Sequence, residues 1–165
     1  MTLANQVTLA RIVLIPLILA ALYFGLYGLA AILFLAVSLS DVIDGYIARR
    51  FHQVSDLGKL LDPLADKVLV LAVLIALVGL QKVPSLPVII IVIREILVAG
   101  IRSEAPVIFG AIPIAKWKTA AQVLAIFMLI LSLPLADLVL WISIVLSLVS
   151  GGIYIWQSKI LEQLK

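Results

Sequence analysis

The sequence predicts an all-α integral membrane protein with six transmembrane helices and both termini on the cytoplasmic side. Three observations carry that expectation. First, 65% of the 165 residues are hydrophobic and the mean hydropathy is +1.30, against about 45–50% apolar residues in soluble domains. Second, six stretches approach the roughly 20 apolar residues that cross a bilayer, and residues with turn chemistry separate them. Third, the Lys and Arg residues gather on one side of a six-segment path. The length suits one membrane domain over 1–165. The chain has no cysteine, which excludes a disulfide framework and a thiolate metal site. A net charge of +3 is modest, and no nucleic-acid partner is expected.

The first segment is expected over 7–26. Arg11 sits inside the start of the apolar run rather than in a basic leader, and no small-residue cleavage site stands out. It is therefore read as a retained membrane helix, not a signal peptide. Gly25 and Gly28 separate it from a second segment over 29–49. The polar run RRFHQVSD precedes a third over 57–80, and Gln81-Lys82-Val83-Pro84 precedes a fourth over 85–104. Pro106, Gly110 and Pro113 break the chain before a fifth over 116–134, and Pro134 and Asp137 before a sixth over 137–158. Arg49, Arg50, Lys59, Arg102, Lys116 and Lys118 then fall on one side with Arg11, Lys159 and Lys165, and Lys82 alone on the other. The basic side is expected to face the cytoplasm. Tyr154 and Trp156 suit an interfacial belt before an amphipathic tail.

Five of the nine acidic residues lie between Asp41 and Lys67. Asp41 and Asp44 are three apart, and Asp62 and Asp66 four apart, so each pair shares a helical face. The short link between the two segments suggests antiparallel neighbours whose carboxylates converge. A charge at mid-membrane costs about 2.5–3.5 kcal/mol. Four like charges together must be protonated or held ionised by cations. Such a set suits hard divalent ions, and two ions suit a phosphoryl centre. Gly45 and Ala48 leave room beside the first acidic pair, although small residues also serve helix packing. Arg49 follows at the same mouth, where a guanidinium pairs with phosphate. Arg50 reads as a topological anchor, His52 as an interfacial loop residue, and Asp56 also as a helix cap.

The run Asp41-x2-Asp44-Gly45-x2-Ala48-Arg49-x8-Gly58-x3-Asp62-x3-Asp66 resembles the signature of the CDP-alcohol phosphotransferases, with every fixed position at the family spacing. Asn5, Thr8 and Arg11, the run LLDPLADKVLV, Ile93–Ile96 and Lys116–Gln122 are similar to the branch of that family whose acceptor is glycerol 3-phosphate. The resemblance implies a multi-pass enzyme of the cytoplasmic membrane with its active site facing the cytoplasm. It would move the phosphatidyl group of CDP-diacylglycerol to glycerol 3-phosphate and release CMP. It also implies two Mg²⁺ or Mn²⁺ ions and a homodimer. By the same resemblance Asp41, Asp44, Asp62 and Asp66 are metal ligands, and Asp66 is the candidate general base. Gly45, Ala48, Arg49, Asp56, Gly58, Asn5 and Thr8 would line the CDP site.

The acceptor's phosphate requires cations, and an Arg within a membrane helix is functional by default. Arg94, Arg102, Lys116 and Lys118 are the candidates. Anchoring is the alternative for the two lysines, and for Arg94 it is an ion pair with Glu95. Besides a catalytically silent membrane interaction protein, against which the presence of all four aspartates argues, two rival readings remain. One keeps the chemistry with another acceptor: inositol phosphate, phosphatidylglycerol, serine or an archaeal glycerophosphate lipid. The other is a cation or proton transporter using the same aspartates.

Overall fold

The computed structural model describes the backbone of residues 3–51, 56–104 and 113–157, and the side chains of 13–40, 67–100 and 117–153. All regular structure among them is helical: α1 (Leu3–Tyr23), α2 (Tyr27–Phe51), α3 (Asp56–Gly79), α4 (Ser85–Glu104), α5 (Pro113–Ile130) and α6 (Ala136–Gln157). One described stretch, Ala136–Ile153 of α6, is apolar enough over 18 residues to cross a bilayer by length and composition. Val13–Tyr23, Tyr27–Ser40, Lys67–Gly79 and Trp117–Ile130 are shorter apolar stretches.

Three local devices set the topology. Gly25, Gln81 and Ser132 all adopt left-handed backbone, with φ of 74°, 57° and 53°. Each closes a helix in the same way. The N–H groups of Leu26, Lys82 and Leu133 donate to the carbonyls of Ala21, Leu77 and Met128 at 2.8, 2.9 and 2.9 Å. Those of Gly25, Gln81 and Ser132 donate to Leu22, Val78 and Leu129 at 3.1, 2.9 and 3.1 Å. These are Schellman closures, which satisfy carbonyls that a helix end leaves unpaired. The turns they start are short, so α1–α2, α3–α4 and α5–α6 form three antiparallel hairpins, each with its two helices packed together.

The hairpins close on one another as a ring. Besides their partners, α1 packs on α3, α4 on α6 and α5 on α2, while α3 also touches α5 across the middle. Phe34, Ile18, Leu22, Leu74, Leu77, Ile91, Ile126, Ile130, Leu140 and Ile144 fill the interior. Buried Ala21, Ala30, Ala31, Ala76 and Ala125 keep side-chain bulk low where backbones approach. The outer surface is apolar as well. Val13, Ile32, Ile75, Ile96, Leu124 and Val145, one on each helix, are all more than half exposed. A surface apolar on every helix calls for a nonpolar solvent around the bundle.

Lys82 ties the three turns together at one end. Its ammonium donates to the Ile130 carbonyl and to Ser132 Oγ, both at 2.9 Å. It also lies 3.4 Å from the centre of the Tyr27 ring. One residue of the α3–α4 turn thus reaches the α1–α2 and α5–α6 turns.

The structure moves several expected boundaries. α1 begins at Leu3 and stops at Tyr23, because the closure at Gly25 ends it early. α5 ends at Ile130 rather than 134 for the same reason at Ser132. Pro113, read as a break, is instead the first residue of α5, where a missing N–H costs nothing. Among the described residues, α2 and α3 each pack on α1, and the acidic ends at which their direct pairing was expected have side chains outside the described residues. The three-residue turn commits α2 to α1, and α3 packs on α1 as well.

Candidate active site

Antiparallel hairpins place the starts of α1, α3 and α5 and the ends of α2, α4 and α6 at the end of the bundle opposite Lys82. The expected site residues sit on those segments. Asn5 and Thr8 are in the first turns of α1. Asp41, Asp44, Gly45, Ala48 and Arg49 occupy the second half of α2, and Asp56, Gly58, Asp62 and Asp66 the first half of α3. Arg102 is near the end of α4 and Lys116 near the start of α5. The side chains of all these residues lie outside the described residues.

What the backbone does establish is helical spacing. Asp41 and Asp44 share α2, three positions apart, and Asp62 and Asp66 share α3, four apart, so each pair falls at positions on one face of its helix. Four residues link Phe51 to Asp56, which holds these helix ends within about 18 Å of each other. A carboxylate-only donor set on two helices fits hard divalent cations.

Arg94 and Lys118 have described side chains, and the structure brings them together. Both are buried, with 8% of their surface exposed, and so is Glu95 at 6%. Arg94 Nη1 donates to Glu95 Oε1 at 2.8 Å, and the Lys118 ammonium donates to the same oxygen. Lys67 approaches from α3, with Nζ 3.8 Å from Glu95 Oε2 and 3.4 Å from the Glu95 carbonyl. The ion pair with Glu95, the alternative considered for Arg94, is therefore present. Two buried cations share one carboxylate oxygen, which leaves that pair with more positive than negative charge at low dielectric.

α6 holds the far side of Arg94. Arg94 Nε donates to the Ser147 carbonyl at 2.9 Å and Nη2 to Ser150 Oγ at 2.7 Å. Ser150 in turn donates to the Ser147 carbonyl at 2.9 Å. Gly151 makes room for the guanidinium, because a Cβ there would lie 3.3 Å from Arg94 Nε. Ser147 Oγ and Gln122 Nε2 are buried with no hydrogen-bond partner among the described residues.

Sequence reasoning missed Lys67, Ser147, Ser150 and Gly151. A signal existed in α6, where Ser143, Ser147 and Ser150 follow one another at steps of four and three on an apolar helix. That spacing lines one face. In α5, Gln122 stands one turn beyond Lys118 on the same face.

Comparison with known proteins gives a consistent result. The family model for CDP-alcohol phosphatidyltransferase matches residues 1–149. A CDP-diacylglycerol–glycerol-3-phosphate 3-phosphatidyltransferase from Bacillus subtilis is 40% identical over an alignment of 189 residues, covering 99% of this chain and 97% of that one. Its namesake from Rickettsia felis is 36% identical over 167 residues, 92% of each chain. A cardiolipin synthase (CMP-forming) from Oryza sativa subsp. japonica is 33% identical over 180 residues, covering 94% of this chain and 55% of that one.

Proposed function

The chain belongs to the CDP-alcohol phosphatidyltransferase family, and from that premise we propose that it transfers the phosphatidyl group of CDP-diacylglycerol to glycerol 3-phosphate, giving phosphatidylglycerophosphate and CMP. The relatives from B. subtilis and R. felis bear the name of that reaction and align over nearly the whole chain. The observation that carries the acceptor assignment is the pair of buried cations on one carboxylate oxygen, Arg94 and Lys118 on Glu95. A wall with surplus positive charge suits an alcohol that bears a phosphate.

The six helices are each 18–25 residues long, or about 27–38 Å, and the hydrocarbon core is about 30 Å thick. All six then cross the cytoplasmic membrane, with the termini and the basic ends of the hairpins facing the cytoplasm. The donor's acyl tails stay in the bilayer while its head group enters between helices.

Asp41, Asp44, Asp62 and Asp66 would hold two divalent ions, Mg²⁺ or Mn²⁺. Bound there, such ions supply charge neutralisation on the diphosphate and on the departing CMP. Gly45, Ala48, Arg49, Asp56, Gly58, Asn5 and Thr8 line the nucleotide site. Arg102, Lys116 and Lys118 receive the acceptor's phosphate, and Arg94, held by Ser147, Ser150 and Glu95, adds its positive charge beside them. Asp66 takes the proton from the acceptor hydroxyl as that oxygen attacks the β-phosphate, the bond to CMP breaks, and no covalent enzyme intermediate forms. The working unit is a homodimer.

A second reading, with phosphatidylglycerol as acceptor, is favoured by the likeness to the rice cardiolipin synthase. One assay separates the two. The purified protein receives CDP-diacylglycerol with glycerol 3-phosphate, phosphatidylglycerol, inositol phosphate or serine in parallel, and lipid products are resolved. Phosphatidylglycerophosphate is expected. Turnover with another alcohol but none with glycerol 3-phosphate would overturn the assignment.

A further inference from the structure

We propose that Glu95 is a positioning residue for the acceptor site, keeping Lys118 charged and in place while Arg94, pinned to α6, braces it. The inference rests on the reading of Lys118 and Arg94 as the wall that meets the acceptor's phosphate. Glu95 sits where three helices converge. Lys118 comes from α5, Lys67 from α3, and Arg94 precedes Glu95 on α4. Arg94 is not free to swing, because Nε and Nη2 are committed to the Ser147 carbonyl and the Ser150 hydroxyl. Its remaining edge, through Nη1, fixes Glu95 Oε1. Lys118 donates to that same oxygen.

A lysine is a flexible point charge that loses its proton readily when buried without a counter-ion. Lys118 is buried, and the Glu95 carboxylate is the counter-ion it donates to. One N–H of the ammonium is spent on the carboxylate, which leaves two for an incoming phosphate. The carboxylate also opposes the phosphate through its own field. Burial decides between these effects: a neutral Lys118 has no charge to offer, whereas a charged one beside Glu95 still does.

The test is a kinetic comparison on the full chain. In Glu95→Gln, the KM for glycerol 3-phosphate is expected to rise about tenfold, while the KM for CDP-diacylglycerol stays within about twofold. Glu95→Asp, which restores the charge on a shorter arm, should recover part of the loss. An unchanged or lower acceptor KM in Glu95→Gln would overturn the inference, as would an equal rise for both substrates. If Glu95→Gln does not yield folded protein by size exclusion, Gly151→Ala decides. That variant keeps every charge and crowds Arg94 Nε, where a Cβ would lie 3.3 Å away. A rise of about threefold in the acceptor KM alone is expected, and no rise would refute the bracing role. Failure of the acceptor assignment looks different: the unaltered chain would not turn over glycerol 3-phosphate. The same comparison is then run on whichever phosphorylated alcohol it does use. Turnover only with an alcohol lacking phosphate would overturn both readings.

Discussion

At the scale of single residues, what was legible in the sequence is what has no comfortable place in a lipid-facing helix. The four aspartates, Arg94 and Lys118 stand out because a charge in an apolar segment requires a partner or a task. Their neighbours do not stand out. A serine in a helix donates to a carbonyl one turn back, as Ser40 does to Val37 at 2.8 Å and Ser143 to Leu140 at 2.7 Å. Such a residue satisfies itself locally, so Ser147 and Ser150 carry no sign of the guanidinium they hold. Lys67 was hidden by its position next to Asp66 and the aspartate motif. Asp66→Asn is expected to abolish CMP release while CDP-diacylglycerol still binds, and chelation should silence the enzyme until Mg²⁺ or Mn²⁺ is restored. Product assays and equilibrium binding of the donor check both. Lys82 makes a separate residue-scale prediction. Lys82→Met removes two hydrogen bonds and a cation–ring contact at the turns. A loss of about 1–2 kcal/mol is expected, read as a lower unfolding midpoint in detergent with acceptor KM unchanged.

At the scale of elements, the existence and number of helices were legible, because each is an apolar run bounded by turn residues. Their ends were read less well for one physical reason. Three helices end in a left-handed residue, and only one of those residues is a glycine. Gln81 and Ser132 adopt that conformation because the closure bonds from Lys82 and Leu133 hold the turn, not because their side chains favour it. The cost is local and can be recovered. Gln81→Gly and Ser132→Gly should each stabilise the bundle by roughly 0.5–1 kcal/mol, since glycine occupies this region without strain. Gly25→Ala should destabilise it by about 1 kcal/mol. A Cβ at Gly25 meets nothing within 4 Å, so the effect there is conformational and not steric. Thermal unfolding of the three variants in one detergent checks the opposite signs. A common sign would refute the shared closure.

At the scale of the whole molecule, the closed order of helices was not legible, because hydropathy shows which residues avoid water but not which helix each one faces. The sequence suggested α2 against α3, and among the described residues each of them packs on α1. The hairpin arrangement still preserves the inference that matters for function. Three turns joined by Lys82 mark one end of the bundle, and the aspartate segments of α2 and α3 mark the other. If all six helices span the membrane, those ends lie on opposite sides of it. The absence of cysteine makes this directly measurable, since any introduced thiol is the only one in the chain. Leu133 lies in the α5–α6 turn and is 40% exposed, while Lys165 follows α6 in sequence. A Leu133→Cys variant should react with a membrane-impermeant maleimide in intact cells, and Lys165→Cys only after permeabilisation. The reverse pattern would invert the orientation and place the aspartates on the side away from cytoplasmic glycerol 3-phosphate and CMP. Labelling of both in intact cells would mean that α6 does not span, although it is the one described helix with an 18-residue stretch apolar enough to do so. That result would undo the six-span arrangement as a whole.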